Sequence, residues 1–130
     1  MQDPNLAILV VEDHPFQSIA MQMHLNRMGF FRLTPALDAE EAREACQRRA
    51  KPFDLLLCDI NLPGTNGVEL LGELASSGGI RQAILFSCKE EDELQKLEQD
   101  LKGRGLPLLA CLSKPLDPQT LLQTLGKKSA

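Results

Sequence analysis

The sequence predicts an α/β domain built on a doubly wound, five-stranded parallel sheet with strand order 2-1-3-4-5. Three observations carry that prediction. Short apolar runs of strand length alternate with longer helix-period segments along the whole chain, the pattern of successive βαβ units. The run Phe53, Leu55, Leu56, Leu57 and Cys58, bounded by Pro52 and the Pro63-Gly64 turn, is almost continuously apolar, so it reads as a strand covered on both faces. Pro35 removes a ladder donor from the second strand and places it at an edge. Right-handed crossovers then leave strands one and three side by side at the centre, with the topological switch between them.

The elements follow in order. Residues 6–11, LAILVV, form strand one and run straight into Glu12-Asp13. Pro15 suits the first turn of a helix that ends near residue 28, with Gly29 in the position of a left-handed cap. On that helix Met21, Leu25 and Met28 share the face assigned to the sheet. Phe16, Ile19, Ala20 and Met23 gather on nearly the opposite face, either beneath a neighbouring loop or helix or as a surface for a partner.

Residues 31–37 make the short, proline-bearing second strand. Asp38 caps a helix over 39–50, with Glu41 as its capping-box partner. After the central strand and its loop, residues 68–76 form a short helix with Leu70, Leu71 and Leu74 turned to the core, closed by Gly78-Gly79. Strand four covers 83–86 and finishes at Ser87. The acidic helix over 89–102 carries Glu90, Glu91 and Asp92 in its first turn, where carboxylates favour the macrodipole. Strand five spans 106–112 and leads into Ser113-Lys114-Pro115, and residues 118–125 make the last helix.

A chain of 130 residues fits one domain over 1–130, with its core in about residues 6–126, and buries about 65–70% of the surface of its unfolded form. The net charge of −4, without a basic patch, gives no reason to expect direct binding to nucleic acid. No apolar run is long enough to span a membrane, and the opening MQDPN lacks the features of a signal peptide, so the expected location is the cytoplasm. The four cysteines lack metal-ligand spacing; Cys58 and Cys111 fall inside strand patterns and read as small buried hydrophobes.

Ligands bind outside the carboxyl ends of the strands in an open parallel sheet, and those ends carry Glu12, Asp13, Asp59, Ser87 and Lys114. Three neighbouring carboxylates repel one another, and a divalent cation relieves the repulsion. An all-oxygen donor set with room for water favours magnesium over zinc. Ser87 brings a hydroxyl and Lys114 a flexible point charge, a pairing suited to phosphate oxygens. Asp59, at the end of the central strand between the acidic and cationic sides, is placed to attack phosphorus and form an acyl phosphate.

With that ordered set in view, residues 6–126 resemble the receiver domain of bacterial two-component response regulators. The matching motifs are Glu12-Asp13 after strand one, Asp59 in DINLPGTNG, Ser87 at the end of strand four and Lys114-Pro115 after strand five. The resemblance implies that Asp59 accepts a phosphoryl group from a histidine kinase or a histidine phosphotransfer protein. It also implies magnesium on Asp13, Asp59 and the main-chain carbonyl of Asn61, with Glu12 acting largely through water. Lys114 would hold one phosphoryl oxygen, and Ser87 would swing in to another. The signal would reach an output domain, or a second copy in a homodimer, through the face made by helix four, strand five and helix five. The first helix would be the docking surface for the kinase or phosphotransfer protein, through Phe16, Ile19 and Met23. The Lys114–Pro115 peptide would be cis.

The sequence departs from the receiver pattern at two places. The switch position three residues before the lysine, usually Tyr or Phe, is Cys111, and Cys88 follows Ser87 where Ala or Gly is usual. Those departures keep a second reading open, a pseudo-receiver that acts as an interaction module without phosphorylation. A phosphatase of the haloacid dehalogenase type would want Asp where Asn61 stands and a cap insertion. A flavodoxin-like cofactor binder would want a Ser/Thr/Gly phosphate loop, which EDHPF does not supply.

Overall fold

A computed structural model describes residues 5–126; the expectations for the opening residues 1–4 and for the tail 127–130 lie outside the described residues. Along the chain come β1 (Ile8–Val11), α1 (Pro15–Arg27), β2 (Leu33–Ala36), α2 (Ala39–Gln47) and β3 (Phe53–Asp59). They are followed by α3 (Gly67–Ser76), β4 (Ile80–Ser87), α4 (Glu91–Gly103), β5 (Leu108–Ser113) and α5 (Pro118–Gly126). The strands pair in parallel in the order β2-β1-β3-β4-β5, with the proline-bearing β2 on one edge and β5 on the other.

Strand side chains alternate between the two faces, so each central strand feeds two cores. Leu9, Val11, Leu56, Cys58, Ala83 and Leu85 point to the layer of α2, α3 and α4, where Ala42, Leu70, Leu71, Leu74, Leu94 and Leu101 are buried. Ile8, Val10, Leu55, Leu57, Ile84 and Phe86 face α1 and α5, against Met21, Leu25, Leu121 and Leu125. This double coverage is why the central strands carry no polar alternation.

Register sets the level of the strand ends. Val11 pairs with Cys58, Asp59 with Phe86, and Ser87 with Ser113. Glu12, Asp59, Ser87 and Lys114 therefore emerge within one or two residues of a common height on one rim of the sheet.

Several boundaries differ from the sequence expectation. β2 begins at Leu33 instead of residue 31, because Gly29 takes a left-handed conformation (φ 95°) and the Phe30 N–H returns to the Leu25 carbonyl. That turn buries Phe30 and leaves Phe31 exposed. α2 stops at Gln47, short of residue 50; beyond it the Arg49 guanidinium lies 4.5 Å over the Phe53 ring and its Nε donates to the Lys51 carbonyl. The Asp38 side chain accepts from Glu41 N–H as expected, but the Glu41 carboxylate accepts from Leu37 N–H rather than from the cap residue's own amide. β4 starts at Ile80 rather than 83, and β5 is shifted two residues later at its start. α4 starts at Glu91, with Glu90 as its cap, so Glu91, Asp92 and Glu93 occupy its first turn.

On α1, Met21 and Leu25 are buried as expected and Met28 is half-buried. Phe16 (79% exposed), Ile19 and Met23 are not covered by any other described part of the chain, which settles the first of the two alternatives for that stripe against burial. No helix among the described residues is long and apolar enough to cross a membrane.

Candidate functional site

Asp59 is held at the end of β3 almost wholly out of solvent, and both of its oxygens are engaged. Oδ1 accepts from the main-chain N–H of Asn61 at 2.9 Å, and Oδ2 accepts from Lys114 Nζ at 2.8 Å. The loop after Asp59 keeps this geometry because Gly67 N–H donates to the Ile60 carbonyl at 2.7 Å, folding the start of α3 back onto the strand end. A Cβ at Gly67 would overlap the Asp59 carbonyl oxygen and stand 2.9 Å from Ile60 Cα, so only glycine permits that approach.

Glu12 is buried beside Asp59. Its Oε2 accepts from His14 N–H at 3.0 Å and its Oε1 from Lys114 Nζ at 3.1 Å. Burial raises the Glu12 carboxyl above its usual range, although the His14 N–H and the Lys114 ammonium pull the other way. For Lys114, burial alone would lower the ammonium; hydrogen bonds to Asp59 and then Glu12 outweigh it and leave it raised. Lys114 follows β5 through a cis peptide to Pro115, and Nζ also lies 5.4 Å from the centre of the Phe86 ring.

Asp13, exposed at the rim, completes an acidic cluster with Glu12 and Asp59 in which one oxygen from each lies within 4.8 Å of the others. With Lys114 the formal charge of the group is −2. Both Glu12 oxygens already have protein partners, whereas Asp13 faces solvent. The donor set is all oxygen, has an open side and carries excess negative charge, so it fits a hard divalent cation that keeps several waters.

Ser87 is fully buried, and its Oγ accepts from Asn61 Nδ2 at 3.3 Å and from Lys89 N–H at 3.2 Å. It stands beside the acidic group without bonding to Asp59. Cys88 is exposed at the rim. Cys111 is buried under α4, with its main-chain N–H donating to Glu98 Oε1 at 2.8 Å and its thiol pushed up to about 12 by burial and by Glu98. Glu98 and Gln17 are the partners that sequence reasoning missed. Gln17 Oε1 accepts from Lys114 Nζ at 3.0 Å across a separation of 97 residues, and Glu98 reaches the edge of β5 from the second turn of α4 onward; neither residue belongs to a motif.

The sequence model of the response regulator receiver domain family matches residues 8–126. Among curated proteins, the chain is 29% identical over 131 residues to the virulence sensor protein BvgS of Bordetella bronchiseptica, covering 97% of this chain and 10% of that protein. It is 29% identical over 137 residues to the nitrate/nitrite response regulator protein NarL of Escherichia coli, covering 99% of this chain and 56% of NarL. The chain thus spans between a tenth and about half the length of these relatives. A response regulator receiver domain protein from Clostridium thermocellum has the same fold, with a TM-score of 0.76 at 18% identity over 92% of this chain and 90% of that one. Because the family match runs from β1 to the end of α5, and so takes in each of the strand ends that build the acidic rim, the chain belongs to the response regulator receiver domain family of two-component systems.

Proposed function

We propose that Asp59 is a phosphoacceptor, charged by a histidine kinase or a histidine phosphotransfer protein with magnesium, and that the phosphorylated chain switches a partner or output domain. The observation that carries this reading is the state of the Asp59 carboxylate, fixed by Asn61 N–H and Lys114 Nζ while Asp13 keeps the rim acidic and open. An Asp59 oxygen attacks the phosphorus of the donor, an O–P bond forms and the N–P bond of phosphohistidine breaks. The imidazole nitrogen keeps the electron pair and, already protonated on its other nitrogen, leaves neutral. Asp13, Asp59 and the Asn61 carbonyl would hold magnesium, which would supply charge neutralisation for the phosphoryl oxygens.

Within this reading Lys114 already touches the acceptor and passes to a phosphoryl oxygen of the product. Ser87 turns its hydroxyl from the Asn61 and Lys89 donors toward a second phosphoryl oxygen. That movement releases the loop after β4, and the change reaches the face of α4, β5 and α5, where Cys111 takes the place of the usual aromatic switch. Phe16, Ile19 and Met23 on α1 form the docking surface for the donor protein, a use supported by their exposure beside the acceptor rim.

Intact mass after incubation with acetyl phosphate, with and without magnesium, tests the reading beside an Asp59→Asn variant. The expected result is a magnesium-dependent, base-labile gain of one phosphoryl group that the variant lacks. No gain from acetyl phosphate or from a phosphorylated phosphotransfer protein, together with no magnesium binding, would leave the pseudo-receiver as the better description.

A further inference from the structure

Three acceptors surround the Lys114 ammonium, and an ammonium has three N–H bonds to give. Asp59 Oδ2 lies at 2.8 Å, Gln17 Oε1 at 3.0 Å and Glu12 Oε1 at 3.1 Å. Two of these oxygens belong to buried carboxylates at the strand ends, whereas Gln17 is an exposed residue of α1. The helix beneath it is fixed by other contacts: Ser18, Met21 and Leu25 are buried, and Ser18 Oγ accepts from Gln22 Nε2 at 3.1 Å. Packing of α1 on the sheet therefore does not need the Gln17 side chain. An ammonium only donates, so the oxygen of the Gln17 amide is the atom that faces it.

The N–H bonds of an ammonium are tetrahedral. A hydrogen bond along one of them leaves the group free to turn about that axis at the end of a flexible four-carbon stem, whereas bonds along two of them fix the direction of the third. As phosphoryl transfer proceeds, the Asp59 carboxylate loses its charge to the new O–P bond, and the N–H that it held passes to a phosphoryl oxygen. Glu12 and Gln17 are the two acceptors that stay. We infer that Gln17 is a positioning residue for phosphoryl transfer, which together with Glu12 aims the remaining N–H of Lys114 at the reacting group. The inference rests on Asp59 being the acceptor, and Gln17 acts only through Lys114.

The test compares the natural chain with Gln17→Met, which keeps the length of the side chain and removes its oxygen, and with Gln17→Glu, which keeps an oxygen at the same reach. Phosphorylation of Asp59 by acetyl phosphate in magnesium buffer is followed by intact mass. In that step an Asp59 oxygen forms the new O–P bond, the P–O bond to the acetyl group breaks, and acetate leaves with the electron pair. The rate should fall about three- to tenfold in Gln17→Met, the worth of one hydrogen bond. Reductive methylation with formaldehyde and cyanoborohydride, read by peptide mass, reports the ammonium directly. Lys114 should react several-fold faster in Gln17→Met and no faster in Gln17→Glu, with the exposed Lys51 and Lys89 unchanged in all three proteins. An unchanged rate of phosphorylation in Gln17→Met overturns the inference while leaving Asp59 an acceptor. So does a Lys114 reactivity that is unchanged in Gln17→Met, or equally raised in both variants. Absence of phosphorylation in all three proteins overturns the reading of Asp59 and the inference with it.

Discussion

Removing the Glu98 side chain should destabilise the protein out of proportion to its place on an exposed helix. Its Oε1 accepts the main-chain N–H of Cys111 at 2.8 Å on the edge strand β5, and Oε2 pairs with Lys102 at 3.1 Å. In Glu98→Ala the N–H of a buried residue loses a charged acceptor, which costs about 1.5–3 kcal/mol. The surface pair with Lys102 adds only about 0.3–0.5 kcal/mol. The sum is about 2–3.5 kcal/mol, or a fall in Tm of about 7–12 °C for a chain of this length. Glu98→Gln keeps a neutral acceptor and should lose less than about half of that, while Lys102→Ala should lose only the pair. Urea unfolding with a shared m-value is the assay. If Glu98→Ala unfolds within about 0.5 kcal/mol of the natural chain, or if Gln is as costly as Ala, the contact does not hold α4 to β5 and the reasoning fails.

Gly67→Ala should cost about 3 kcal/mol in thermal unfolding, since the new Cβ meets the main chain of Asp59 and Ile60, which cannot yield as a flexible side chain would; a cost under about 1 kcal/mol would show that the loop relaxes. Alkylation followed by mass should label Cys88 first and Cys46 more slowly, with Cys58 and Cys111 reacting only on unfolding. The Cys111 thiol, raised from 9.0 to about 12, contributes stability that is present below pH 9 and lost as pH climbs toward 12. Cys111→Ala should therefore flatten part of the alkaline decline in stability, and an unchanged slope would refute it. Magnesium at about ten times its Kd should raise stability by about 1.4 kcal/mol, and Asp13→Asn should remove most of that gain in a calorimetric or thermal titration.

The sequence by itself determined the sheet, its order and the members of the acidic rim. The information is local or periodic: the unbroken apolar run of Phe53 to Cys58 states that a strand is covered twice, and Pro35 assigns an edge. Once the order is known, parallel register carries Glu12, Asp59, Ser87 and Lys114 to one height, so the site follows from topology. Helix ends were less legible. Nothing local says that α2 ends at Gln47 and Arg49 lies over Phe53, or that the turn at Gly29 sends Phe30 inward and Phe31 out.

Only the tertiary structure decided which partner each polar group takes. Lys114 is satisfied by Glu12, Asp59 and Gln17 together, and Gln17 belongs to no pattern because its role depends on α1 crossing beside the end of β5. Glu98 sits in a helix rich in acidic side chains, and spacing does not single it out from its neighbours; it is chosen by the one N–H of β5 within its reach. The same holds for the α1 stripe, whose exposure depends on what the rest of the chain leaves uncovered. Hydrophobic periodicity is written residue by residue along the chain, whereas hydrogen-bond partners are fixed by distances of a few ångströms between segments as far apart as 102 residues, and those distances exist only after folding.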